Sequence, residues 1–130
     1  MAVGTGIGIG MVANGQIING AAGIAGAIGW MALDRPYSGD YDNCGQFEYY
    51  ASGTGIVRHA EELLKKGMES KNLHPGKITT KDVFDAYLRK DPLAEAVLER
   101  SIQYWGMAVA NLVSLLNPEK IIFGGGVFGP

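Results

Sequence analysis

From Ala2 to Val12 apolar residues alternate with glycine, as in Val3-Gly4-Thr5-Gly6-Ile7-Gly8-Ile9-Gly10. A period of two predicts a strand. Asn14-Gly15 then lies between two apolar runs, the arrangement that favours a tight hairpin, with Gln16 to Ile18 as the returning strand. Beyond Asn19-Gly20, glycine recurs every third residue at Gly23, Gly26 and Gly29. That much backbone freedom predicts a loop held by its surroundings rather than a self-sufficient helix. Met31 to Leu33 predicts a short strand. Asp34 to Gln46, rich in Gly, Pro, Asp and Tyr, reads as an irregular loop.

The second half changes period. From about Phe47 to Lys66 the spacing predicts a helix, with Ile56, Ala60, Leu63 and Leu64 on one side and Gly67 closing it. Met68 to Ile78 is a polar linker containing Pro75-Gly76. Thr79 followed by Asp82 forms a capping-box pattern that opens a short helix to about Lys90. Asp91 with Pro92 in the first turn starts a long helix running to Leu116, with Leu93, Val97, Tyr104, Ala108, Leu112 and Leu115 as its apolar stripe. That stripe serves equally as core or as a dimer seam. After Asn117-Pro118, Lys120 to Phe123 predicts a short strand delivered into Gly124-Gly125-Gly126. Hairpin, loop, helices and late strand together predict a mixed α/β domain.

Composition narrows the function classes. Eleven basic against 13 acidic residues in a chain of 130 give a formal net charge of −2, which argues against nucleic-acid binding through a basic surface. The first 33 residues carry no charge, yet Asn14, Gln16, Asn19 and nine glycines interrupt any membrane helix, so no membrane partner is expected. Cys44 is the only cysteine; it excludes an internal disulfide and a multi-cysteine zinc cage, and fits a reducing cytoplasm.

Two glycine clusters are candidates for chemistry. In Gly4-Thr5-Gly6, glycine lets backbone N–H groups approach phosphate oxygens and threonine adds a hydroxyl; the competing reading is a strand packed closely on a neighbouring backbone. Gly124-Gly125-Gly126 follows a strand, where α/β sheets bind ligands, although a simple chain reversal has the same signature. Gly8, Gly10 and Ala13 satisfy G-x-G-x-x-A formally, but Asn14-Gly15 makes a turn where a dinucleotide fold needs a helix. Glu48, between loop and helix, suits either ligand hydroxyls or a helix N-terminus. His59 and His74 lack ligand spacing to Cys44, and solvated or structural roles are expected of them.

Taken in order, Val3 to Gly10, Asn14-Gly15, Asn19-Gly20, Gly23 to Trp30, Cys44-Gly45 leading to Glu48, Ala51-Ser52-Gly53-Thr54-Gly55, and Asn117-Pro118 before Ile121 to Val127 resemble the ROK family. These are sugar kinases, and repressors derived from them, on the actin-like ATPase (ribonuclease H-like) fold. The resemblance implies that residues 1–130 are a single carboxyl-side lobe, incomplete at both ends, with the first phosphate loop and catalytic aspartate elsewhere. No catalytic residue is therefore expected in this chain, which alone should be inactive.

The same resemblance implies that Gly4, Thr5 and Gly6 belong to the second phosphate loop and that Gly124, Gly125 and Gly126 lie beside the adenosine. ATP with Mg²⁺ is the implied cofactor, and a sugar is the implied substrate or effector. Glu48 would contact sugar hydroxyls. The family's Gly-Glu-x-Gly-His signature reads Gly26-Ala27-Ile28-Gly29-Trp30 here, so Trp30 would stack on a sugar ring in place of the histidine. Its zinc loop normally carries three cysteines; with Cys44 alone, zinc is not expected. The function implied is phosphoryl transfer from ATP to a sugar hydroxyl, with a sugar-sensing regulator or a non-catalytic assembly domain as alternatives, and a homo-oligomer as the expected assembly.

Overall fold

A computed structural model describes residues 1–129. The glycine-alternating segment forms two short antiparallel hairpins rather than one continuous strand. In the first, β1 (Ala2–Val3) pairs with β2 (Ile7–Gly8), Val3 opposite Ile7, leaving Gly4-Thr5-Gly6 as the connecting tip. In the second, β3 (Val12–Ala13) pairs with β4 (Gln16–Ile17) around Asn14-Gly15, both at positive φ. Left-handed values at both turn residues are what an Asn-Gly hairpin requires. Gly23 to Gly29 is irregular until a 3₁₀ turn at Ile28–Trp30, which displaces the strand expected at Met31 to Leu33.

Four α-helices follow among the described residues. The helix expected from Phe47 to Lys66 is divided into α1 (Gln46–Ala51) and α2 (Gly53–Lys65) by Ser52, whose backbone is extended. The break is tight: a β-carbon at Gly55 would lie 2.4 Å from the Tyr49 carbonyl oxygen. Ser52 restarts the chain by accepting the Gly55 N–H at 3.0 Å. Helix α3 (Thr80–Leu88) opens on the capping box of Thr79 and Asp82. Helix α4 (Pro92–Leu116) begins at Asp91 and ends at Asn117, which adopts the left-handed conformation.

Two apolar clusters make the core. Val3, Ile7, Ile28, Phe47, Ala51, Tyr104, Ala108 and Leu112 join the first hairpin to α1 and the later half of α4. Ile56, Ala60, Val83, Ala86, Leu93, Val97 and Leu98 join α2, α3 and the start of α4. Trp105 and Val127 pack against both. The α4 stripe holds except at its end, since Leu115 is 76% exposed: Leu112 is the last residue of the stripe that the first hairpin and α1 cover.

The loop before α1 is fixed by polar and aromatic contacts. The Gln46 side-chain carbonyl accepts the N–H groups of Leu33 and Asp34 at 2.7 and 2.8 Å, while its amide donates to Asp34 O. Tyr41 meets Tyr37, Tyr49 and Tyr50 edge-on, and the Arg58 and Arg100 guanidiniums lie 4.0 Å from the ring centroids of Tyr49 and Tyr50.

The segment expected as a strand from Lys120 to Phe123 is not a ladder strand. It meets β1 through one parallel bridge, Ala2 opposite Gly124, because only one short neighbour lies beside it. The contacts are nonetheless backbone ones: Val3 N–H donates to Gly124 O at 2.9 Å, Gly124 N–H to Met1 O at 3.0 Å, and Val127 N–H to Val3 O at 3.0 Å. Among the described residues no helix is long and apolar enough to cross a membrane.

Candidate functional site

The hairpin tip Gly4-Thr5-Gly6 sits directly against the start of α2, where the tripeptide Gly53-Thr54-Gly55 repeats its sequence. The two are joined residue by residue. Gly53 N–H donates to Gly4 O at 2.7 Å, and the Thr54 hydroxyl donates to Thr5 O at 3.1 Å. The start of α3 completes the contact, with the Thr80 hydroxyl donating to Gly53 O at 3.0 Å. Gly53 has to be small here, since a β-carbon would lie 3.0 Å from Gly4 O and 3.2 Å from Thr80 Oγ1.

These segments enclose a cleft of about 470 Å³, lined by Gly4 and Thr5, Gly53, Thr54 and Val57 of α2, Thr79 and Thr80, and Gly126 and Val127. Its electrostatics differ from end to end. Helix α2 has no acidic residue in its first turn, so the positive end of its dipole is uncompensated. Helix α3 carries Asp82 in its capping box, whose carboxylate accepts from the Thr79 N–H and hydroxyl. Among the described residues no carboxylate lines the cleft. An anion is therefore favoured against the hairpin tip and α2, where the Thr5 hydroxyl and the positive end of the helix dipole meet without opposing charge.

Of the residues singled out in the sequence, Gly4, Thr5 and Gly126 share this cleft. Gly124 and Gly125 lie beside it in the segment paired with β1. Gly125 holds φ +95°, and a β-carbon there would lie 2.4 Å from Val3 O. Gly6 faces away from the cleft, toward Glu48: the Ile7 N–H donates to Glu48 Oε2 at 2.7 Å, and a β-carbon on Gly6 would lie 2.8 Å from that oxygen. Gly29 closes on Glu48 from the other side, at 2.9 Å by the same measure. Glu48 is thus half-buried behind the hairpin, wedged between two glycines.

Trp30 follows Gly29 and is 53% exposed. It lines a second, more apolar pocket of about 670 Å³ with Ile24, Gly26, Ala27, Ile28 and Met31. Glu48 and Trp30 therefore flank one glycine but do not share a pocket.

Gly53, Thr54, Thr79 and Thr80 were not singled out as ligand residues, although a second Gly-Thr-Gly at a helix start was the available signal. From the sequence Thr79 stands out only as a cap. His59 is buried on α2 with Nδ1 unpaired, and burial, followed by the nearby Arg100, holds its pKa below the ordinary value. Cys44 is half-buried, and burial, followed by Glu48, pushes its thiol up. Among the described residues no cluster of three or more His, Cys, Asp or Glu is placed to hold a metal ion.

Comparison with known proteins places this geometry. The family model described as "ROK family" matches residues 1–129. A glucokinase of Halalkalibacterium halodurans is 44% identical over 133 residues, covering 96% of this chain and 40% of that protein. A ROK family transcriptional regulator, a homologue of the Escherichia coli MLC protein, superimposes with a TM-score of 0.82 at 29% identity, covering 98% of this chain and 32% of that one. A ROK family glucokinase from Streptomyces griseus, solved in complex with glucose and AMPPNP, gives 0.75 at 28% identity, covering 97% of this chain and 43% of that one. The chain thus spans less than half the length of each. The mixed α/β arrangement is that of the actin-like ATPase fold on which these proteins are built. With a family model running from the first hairpin to the final glycines, the chain belongs to the ROK family.

Proposed function

We propose that this chain supplies the phosphate-binding part of the nucleotide site of an ATP-dependent sugar kinase, which transfers a phosphoryl group from ATP to a sugar hydroxyl. One observation carries the reading: the Gly4-Thr5 tip and the acid-free start of α2 converge on a single cleft. Glycine leaves room for phosphate oxygens, and the Thr5 hydroxyl and the helix dipole stabilise their charge. The 44% identity to a glucokinase supports the same reading.

The residues present fit a nucleotide's phosphates. They do not fit a directly ligated Mg²⁺, because among the described residues the cleft lining offers no carboxylate. This chain is therefore assigned binding and orientation of phosphates, not proton transfer, and by itself it is catalytically silent. A sugar is assigned to the Trp30 pocket on the opposite side of the hairpin, where the indole offers a stacking face; the Glu48 carboxylate stands across Gly29 from it, outside that pocket. The native assembly is a homo-oligomer in the cytoplasm.

Calorimetric titration with AMPPNP tests the reading, using wild type and Gly4→Val. Space is open around a β-carbon at Gly4, so the variant keeps its fold while crowding the cleft. Saturable binding that is lost in Gly4→Val, at unchanged melting temperature, is the expected result. Absence of binding in the wild type overturns it. The likeness to a regulator favours one second reading, a sugar sensor, in which a sugar alone raises the melting temperature and AMPPNP does not.

A further inference from the structure

Four threonine hydroxyls line the cleft, and the structure separates them by what their single proton does. A hydroxyl has one donor and two lone pairs, so one that has donated to a protein carbonyl can only accept from a ligand. Thr54 donates to Thr5 O, Thr80 to Gly53 O, and Thr79 to Asp82 Oδ2. Of these four, the Thr5 hydroxyl alone has no partner among the described residues.

Toward the ionised oxygens of a phosphate, which only accept, the three committed hydroxyls present lone pairs. They contribute by fixing where the donors stand. Their bonds form a relay: Thr80 holds the Gly53 carbonyl, the Gly53 N–H holds Gly4 O at 2.7 Å, and Thr54 holds the next carbonyl of the tip. A tip of small residues has little side-chain packing of its own, so the bonds to the Gly4 and Thr5 carbonyls, with the Gly4 N–H bond to Gly6 O inside the tip and Glu48 behind it, determine how the tip is held.

We propose that Thr54 and Thr80 are positioning residues of the nucleotide cleft, clamping the Gly4-Thr5-Gly6 tip while the hydroxyl and N–H of Thr5 make the donor contacts; the Gly4 N–H is taken by Gly6 O at 2.9 Å. The proposal rests on the cleft being the nucleotide site. It couples the start of α3 to the hairpin through two hydrogen bonds, which gives α3 a part in nucleotide affinity without touching the ligand.

The test uses the 130-residue chain with Thr54→Val, Thr54→Ser and Thr80→Val, read in two ways. Amide exchange at Gly53 needs no ligand. Loss of a neighbouring bond worth the usual net amount speeds exchange about fivefold in Thr54→Val and Thr80→Val, whereas Thr54→Ser stays near wild type. Calorimetry with AMPPNP is expected to show about fivefold weaker binding in the two valine variants, recovery in Thr54→Ser, and unchanged affinity for adenosine. Unchanged exchange and affinity in the valine variants overturn the proposal, as does a serine variant that loses as much as the valine. If exchange behaves as expected but the wild type binds no AMPPNP, the clamp stands structurally, while the nucleotide reading and the positioning role both fail.

Discussion

Glu48 accepts the Ile7 N–H through Oε2 at 2.7 Å, and that same oxygen occupies the volume a β-carbon would need at Gly6 and at Gly29. A carboxylate on α1 therefore sets the position of the hairpin from behind. The two glycines are not equivalent neighbours. A β-carbon at Gly6 would meet only the movable end of Glu48, but at Gly29 it would also lie 3.0 Å from the Ile7 carbonyl oxygen and from Glu48 Cβ.

Gly29→Ala is accordingly expected to destabilise the chain by about 2 kcal/mol and Gly6→Ala by about 1 kcal/mol. Urea unfolding gives both values. Combining each with Glu48→Ala should recover most of the Gly6 cost and little of the Gly29 cost, the non-additivity expected of residues in contact. Equal recovery at the two sites would show that the carboxylate, rather than backbone, limits both.

The final glycine triplet makes a sharper contrast. Gly125 combines φ +95° with a carbonyl 2.4 Å from the place of a β-carbon, whereas Gly124 and Gly126 have open space. Gly125→Ala should cost about 3 kcal/mol, and alanine at either neighbour about 0.5 kcal/mol or less. A scan of the three melting temperatures decides it; three similar values would mean that the segment yields without resistance.

Asp91 caps α4 by accepting the Leu93 and Ala94 N–H groups, and also accepts from Ser70 and Asn72 at 2.7 and 2.9 Å. Burial pushes its pKa up, but the bonds from Asn72, Ser70, Ala94 and Leu93 together outweigh it and leave the carboxyl below the usual aspartate range. A depressed folded value means that the unfolded chain takes up the proton first. The contribution is complete above the ordinary aspartate pKa and is lost as pH falls through the lower folded value. Asp91→Ala should cost about 2 kcal/mol at pH 7, and the gap to wild type should shrink below about pH 4. Denaturation midpoints across that window give the measurement, and a gap that widens in acid would reverse the assignment.

His59 acts in a different window. Burial disfavours its cation, Arg100 and Lys66 add to the effect, and Glu62 opposes it. The unfolded chain therefore protonates at about pH 6.5 while the folded chain does not, so stability declines as pH falls from there toward the lower folded value. His59→Gln should flatten the profile between about pH 5 and 7. A wild-type profile already flat there would mean that His59 charges within the fold.

Where the chain supplied its own start and stop, the sequence was legible. Helix α3 needed only the reciprocal bonds of Thr79 and Asp82, and α4 only Asp91-Pro92 and Asn117-Pro118, all within a few residues. The break at Ser52 was hidden because apolar spacing continues across it; what forces it is the approach of Gly55 to the Tyr49 carbonyl. The late strand failed because strands need neighbours, and period cannot count them. Leu115 failed because the stripe outruns the hairpin and α1 that cover it. In the cleft, the glycines at each end of the chain were visible, but Gly53-Thr54 acquires a role only by meeting Gly4 and Thr5 across about fifty residues, and Thr80 only through the Gly53 carbonyl.

Val127 belongs to two environments at once, since it lines the cleft and packs against both halves of the core. Anything that fills the cleft therefore presses on a side chain that both halves share with Trp105, whose indole N–H is held by the Ala51 carbonyl at 2.9 Å. The wall of the cleft is in this sense the keystone of the domain. Occupancy should raise the melting of both halves together, and the Trp105 emission should report it as one transition.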